Sequence, residues 1–324
     1  MTSIVDFSTA RSGAGTGPAG VEPGRARQAV RDLYDRPGLV PRDLTAPLLV
    51  QPEDRHAVAL PGSVPLGEVA ATVRRWAAVG IRGVKVFAFG SPRDVAASAA
   101  TVPGNLMCAA VAEVKSAVPA MVVTTEVCGC SWTDHGECAL LLDGRIDLPA
   151  THDLMARMAV LHAEAGADVV SPTAMLAGSV RAVRSALNDA GLPEVGVGPN
   201  IALHTTLYGP FKQAMGTNPG RGHRRGLQLE PGRADRDALT QADRWLAEGA
   251  DSLTVQPVLT AVDVLVRLRL HIRVPLIAYS TSGEHAALSA LGTEGLVEYH
   301  AALKRAGADL ILSFAAEQVA RALT

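Results

Sequence analysis

Aromatic side chains make up only 4% of the 324 residues, although 48% are apolar. A core drawn from this composition rests on Ala, Val and Leu, which suits parallel strands buried on both faces. An excess of one charge is also lacking: the formal net charge is −2, and no run of Lys or Arg is long enough to make a nucleic-acid footprint. No apolar stretch reaches the ~18 residues of a membrane span. The opening MTSIVDFSTARSGAGTGPAG has no apolar signal core. The expected setting is therefore cytoplasmic, with neither nucleic acid nor membrane as a partner. Lysine is rare, occurring only at 85, 115, 212 and 304.

What is present is a regular alternation. Residues 1–28, rich in Gly, Ser, Ala and Arg and without periodicity, are expected to form a flexible N-terminal arm. Beyond them, residues 29–324 form one catalytic domain in this reading. Short β-branched runs occur at 46–51, 84–89, 121–127, 168–173, 195–200, 252–257, 275–281 and 309–315. Between most of them lie stretches with helical spacing, such as LGEVAATVRRWAAVG and THDLMARMAVLHAEAG. The phrases AGAD (165–168), EGAD (248–251) and AGAD (306–309) each close a helix and open a strand, with Gly as the left-handed cap. Eight such strands predict an α/β fold, a closed (β/α)8 TIM barrel with an N-terminal arm. The rival, a doubly wound sheet, lacks a G-x-G-x-x-G after its first strand. In such barrels chemistry sits where strands end and the following loops begin.

The four cysteines are not spread as a disulfide framework. Cys108 stands apart in an apolar helical stretch and reads as a buried small hydrophobe. Cys128, Cys130 and Cys138 follow the third strand with C-x-C-x7-C spacing. Zinc accepts thiolates at roughly 2.3 Å in tetrahedral geometry, and three protein ligands leave the fourth position open, which is the catalytic pattern. Free thiols, or a redox pair of Cys128 and Cys130, are the alternatives. His135 inside the loop is a fourth ligand, a proton shuttle beside the metal, or a loop-ordering hydrogen bonder, with an outer-sphere role favoured.

The segment CGCSWTDHGEC (128–138) closely resembles the zinc loop of the porphobilinogen synthase (5-aminolevulinate dehydratase) family. LYGPFK (207–212), RRGLQL (224–229), YSTSGEHAAL (279–288) and AGADLILSF resemble further family motifs, so the likeness runs over roughly residues 30–324. It implies a barrel that joins two molecules of 5-aminolevulinate, two strand-end lysines as Schiff-base formers, zinc held by three cysteines, and a homo-oligomer (dimer to octamer) embraced by N-terminal arms. By that resemblance Arg224, Gln228 and Ser282 contact a substrate carboxylate, Lys212 assists them, and Tyr279 hydrogen-bonds substrate. The departures are specific. The two lysine positions fall at Ala202 and Gln256, the fourth-strand Ser-Asp pair becomes Thr173-Ala174, and the tyrosines of the last strand become Phe314-Ala315.

An imine cannot form at Ala202 or Gln256. Lys85 shares strand parity with Phe87, so it either replaces the lost amines or stays structural, facing outward or paired with a carboxylate such as Glu126. His204, two residues after Ala202, is a candidate general base or metal contact, or a satisfied core histidine. Glu126 is a candidate base, or orients Lys85 or His135. The leading expectation is a zinc-dependent lyase or condensing enzyme acting on a small carboxylated amino or keto acid without a Schiff base, in specialised metabolism. Two alternatives stand beside it: 5-aminolevulinate dehydration by an altered mechanism through Lys85 or zinc, and a non-catalytic zinc-stabilised scaffold or regulatory partner.

Overall fold

The β-branched runs become the staves of a barrel. In the computed structural model, which describes residues 28, 38–54, 58–217 and 226–324, a compact unit covers Leu39–Thr324. Apart from Gln28, the expected arm lies outside the described residues. The first four strands are Leu44–Gln51, Gly83–Ala88, Val122–Val127 and Val169–Pro172. The fifth comes in two pieces, Gly196–Val197 and Asn200–Ala202. Leu253–Gln256, Leu276–Ser280 and Leu310–Ser313 complete the set.

Each strand pairs in parallel with its sequence neighbour, and the eighth returns to the first, Leu44 opposite Ile311. The split fifth strand closes the ring. Its first piece pairs with the fourth strand and its second with the sixth. Pro199, which has no N–H to give a ladder, lies between them; its carbonyl still accepts from Thr254 N (3.0 Å), and Gly198 N donates to Val170 O (2.9 Å). The eight strands expected from periodicity all appear as staves among the described residues, and a short further strand, Ser63–Pro65, pairs in parallel with the first. Helices cover the outside, among them Val69–Ala78, Leu106–Ala117, Leu148–Glu164, Ser179–Asp189, Ala234–Glu248, Val262–His271 and Gly292–Arg305. Among the described residues, no helix is long and apolar enough to cross a membrane.

The repeated GAD phrase has a physical role beyond capping. Gly166, Gly249 and Gly307 have φ of 107°, 100° and 114°, the left-handed region a Cβ disfavours. The aspartate after each then clamps the start of the preceding strand. Asp168 accepts from Val123 N at 2.7 Å, Asp251 from Val197 N at 2.8 Å and Asp309 from Leu276 N at 2.8 Å. A cation sits on each carboxylate: Lys115, Arg184 and Arg269 respectively. All three clamps lie at the N-terminal end of the barrel, the end that serves stability in this fold.

Two apolar clusters result. The larger fills the layer between sheet and helices, and a smaller one lies inside the barrel, made of Leu49, Phe87, Phe89, Met215, Tyr279, Leu312 and Phe314.

Candidate active site

The loop after the third strand is folded back on itself by its own backbone. Gly129 N donates to Cys138 O (3.2 Å) and Thr133 Oγ1 to Glu137 O (2.9 Å). A Cβ on Gly129 would stand 2.9 Å from Cys138 O, so the close approach requires glycine. The fold-back brings the Sγ atoms of Cys128, Cys130 and Cys138 within 4.8 Å of one another, with Cys128 and Cys130 3.2 Å apart. Hydrogen bonds to Cys130 and Cys138, reinforced by burial, hold the Cys128 thiol well above its usual pKa. Three sulfurs crowded around one point form a soft donor set that fits a metal ion, and binding one would release the Cys128 proton. Among the described residues the metal-competent cluster is these three thiols, and His135 stands outside it.

The thiols open onto a cleft enclosing about 710 Å³ out to solvent. Glu126, Thr173, Asn200, Ala202, Gln256 and Tyr279 line it from the strand ends, and Tyr208, Phe211, Lys212, Gln228 and Ser282 from the loops. Burial places these polar groups against an apolar wall: Tyr279 stacks on Phe314 at 6.4 Å, and Phe211 meets both Phe87 and Phe314 edge-on.

The segment 207–217 is held over the cleft by a tight fit to the turn after the seventh strand. Ser282 Oγ accepts from Phe211 N at 2.9 Å, and Gly283 N donates to Leu207 O at 2.9 Å. A Cβ at Gly283 would lie 2.2 Å from Leu207 O, so only glycine fits. Tyr208 is anchored below by hydrogen bonds from its hydroxyl to Leu203 O (3.0 Å) and Gln256 O (2.9 Å). Lys212 Nζ lies 4.9 Å from the centroid of the Tyr208 ring.

Not every residue singled out in the sequence reaches this cleft. Cys128, Cys130, Cys138, Glu126, Lys212, Gln228, Tyr279 and Ser282 line it. His204 does not; it is exposed and its Nδ1 meets Gln228 Oε1 at 3.1 Å, so it touches the cleft through Gln228. Strand parity with Ala202 fails there because the chain has already left the strand. His135 is also off the lining; its Nδ1 accepts from Glu137 N at 3.1 Å and orders the thiol loop. Arg224 lies outside the described residues.

Lys85 points into the barrel but sits beneath the cleft floor, 3% exposed. Burial lowers its pKa to about 8, opposed by the nearby charge of Glu126. Its hydrogen bonds go to Ser171 Oγ (2.8 Å) and Asn200 Oδ1 (3.1 Å). Sequence reasoning missed both partners. The signal was available in strand parity: Ser171 precedes Thr173 by two residues and Asn200 precedes Ala202 by two.

Fold and site together define a (β/α)8 barrel with a thiol-edged cleft at its C-terminal mouth. The chain matches the sequence profile of the delta-aminolevulinic acid dehydratase family over residues 21–322, and it belongs to that family. The delta-aminolevulinic acid dehydratase of Methanothermobacter thermautotrophicus is 36% identical over 303 residues, covering 89% of this chain and 92% of the relative. The Synechocystis enzyme of the same name is 33% identical over 320 residues, covering 93% and 98%. The Toxoplasma gondii porphobilinogen synthase structure, solved with its product porphobilinogen, superposes with a TM-score of 0.87 at 27% identity, covering 94% of this chain and 92% of that one. The family is one of lyase-type condensing enzymes.

Proposed function

We propose that this protein is a zinc-dependent enzyme of the porphobilinogen-synthase type that acts on a small carboxylated amino or keto acid without the usual Schiff base. The setting we propose is cytoplasmic and in specialised metabolism, with the chain working as a homo-oligomer. One observation carries the reading: three thiols competent for a metal ion face the same cleft as Ala202 and Gln256, neither of which offers an amine.

In this reading Cys128, Cys130 and Cys138 hold the ion. Zinc bound there supplies Lewis-acid polarisation of a substrate carbonyl. Glu126, buried and lining the cleft, takes a proton from the carbon or nitrogen that reacts. Lys212, Gln228 and Ser282 frame the carboxylate end under the 207–217 segment, with Arg224 assisting by its planar donor fork. The Tyr279 phenol, kept protonated by burial above all, donates a hydrogen bond to substrate. His204 steadies Gln228 and His135 steadies the thiol loop.

The test combines metal analysis with imine trapping. Purified protein is expected to carry about one zinc per chain and to give no adduct with 5-aminolevulinate and borohydride. An adduct mapped by peptide mass to Lys85 or Lys212 overturns the reading in favour of Schiff-base chemistry. Protein that binds no zinc overturns it in favour of a metal-free scaffold.

A further inference from the structure

Beneath the cleft runs a hydrogen-bonded relay with a fixed direction. Lys85 Nζ carries only donors, so both of its partners must turn acceptors toward it. Ser171 Oγ does so at 2.8 Å and Asn200 Oδ1 at 3.1 Å. Ser171 Oγ in turn donates a hydrogen bond to the same Asn200 Oδ1, 3.1 Å away. The Asn200 oxygen is thereby committed, and its Nδ2 faces the sixth strand, where it donates to Gln256 Oε1 at 2.9 Å. Lys85, Ser171 and Asn200 are 3%, 0% and 1% exposed, so water cannot repair a reversed amide. Turning Asn200 over would set its N–H groups against the ammonium and leave Gln256 Oε1 without its donor.

The consequence falls on Gln256. Its oxygen is used below, and its amide nitrogen is the end left for the cleft. The main chain holds it in place, since Gln256 O accepts from both Leu203 N (2.8 Å) and Tyr208 Oη (2.9 Å). Its register partner on the fifth strand is Ala202, whose methyl leaves room beside the amide. The cleft that receives this donor also contains the three thiols and Glu126.

We propose that Gln256 is a specificity-determining residue: it offers its amide N–H groups to the keto oxygen of the ligand, in an orientation imposed by Lys85 and Asn200 as positioning residues. The site thereby selects a keto acid over the saturated acid of the same length. This inference rests on the reading of the cleft as the substrate site. It assigns Lys85 the work of setting an amide's polarity and leaves bond-making to other groups.

The experiment uses two probes that differ only at the keto group, levulinate (4-oxopentanoate) and pentanoate, titrated calorimetrically into zinc-supplemented protein. Wild type is expected to prefer levulinate about tenfold, a step of about 1.4 kcal/mol. Gln256→Met should bring the two within about twofold while pentanoate affinity holds. Asn200→Asp should do the same with Gln256 intact, because an aspartate accepts from Gln256 Nε2 and turns Oε1 to the cleft. A thermal melt checks that each variant is folded; Gln256→Met lies on the cleft wall and decides the matter if Asn200→Asp does not fold. The proposal is overturned if wild type treats the probes alike, absence of binding included, or if the preference survives Gln256→Met. It is also overturned if Gln256→Met weakens both probes equally, which would place the amide on the carboxylate. Zinc content and imine trapping judge the proposed reaction, so a protein can fail there and keep the keto preference, or the reverse.

Discussion

The inside of this barrel has two unlike halves. The first, second, seventh and eighth strands and the residues just after them contribute Leu49, Phe87, Phe89, Tyr279, Leu312 and Phe314, a packed wall holding four of the chain's twelve aromatic residues. The third to sixth strands contribute Glu126, Ser171, Asn200 and Gln256 inside and the thiol loop at the mouth. Lys85 starts on the apolar half and reaches across to the polar one. The difference teaches how a small polar set is made strong. Rings on one side exclude water, and exclusion raises the worth of each charge and hydrogen bond on the other. Three of the five phenylalanines stand around the cleft or its wall in direct ring contact, namely Phe87, Phe211 and Phe314.

The comparison predicts that the two halves fail differently. The largest effect is expected at the thiols. Cys128→Ala should lower zinc affinity by at least the roughly 100-fold that loss of an outer-sphere partner reaches, read by competition with a chromogenic chelator, while the melting temperature of the metal-free protein stays nearly unchanged. Phe314→Ala should behave oppositely. It removes a buried ring that contacts Tyr279 and Phe211, so chemical denaturation should show a loss of about 3–5 kcal/mol with zinc binding retained. A Phe314→Ala protein of full stability and no zinc would erase the division between wall and site.

The smallest effect sharpens the boundary where Lys85 crosses it. Its pKa falls from 10.5 unfolded to about 8 folded. Between those values the unfolded chain binds more protons, so stability rises with pH. Below about 8 the full penalty for burying the charge is present. Lys85→Met should therefore flatten the stability curve between pH 8 and 10.5, measured by denaturant midpoints across that range. An unchanged slope would mean that Lys85 titrates alike in the folded and unfolded chain and keeps its charge across that range.

The barrel was legible because its period is simple. β-branched runs mark all eight strands, and a Gly-Ala-Asp phrase closes the helix before three of them. The thiol cluster was legible for the same reason: three cysteines within eleven residues can meet through local folding alone. Local reasoning reaches less far beyond the strand ends. His204 follows Ala202 by two, but the strand ends at Ala202 and the parity argument ends with it. His135 sits in the same loop, and there its Nδ1 accepts from Glu137 N, in keeping with the loop-ordering alternative.

What the sequence by itself determined was therefore the number of strands, the thiol set, and the absence of lysine at the ends of the fifth and sixth strands. Tertiary structure alone decided who meets across the barrel. Lys85, Ser171, Asn200 and Gln256 come from four different strands, and none lies within 25 residues of the next. Parity says that each points inward; only the stagger of strands around a closed sheet sets which inward residues share a level. Here that stagger puts an ammonium under an asparagine and turns a glutamine's N–H groups toward the thiols' cleft.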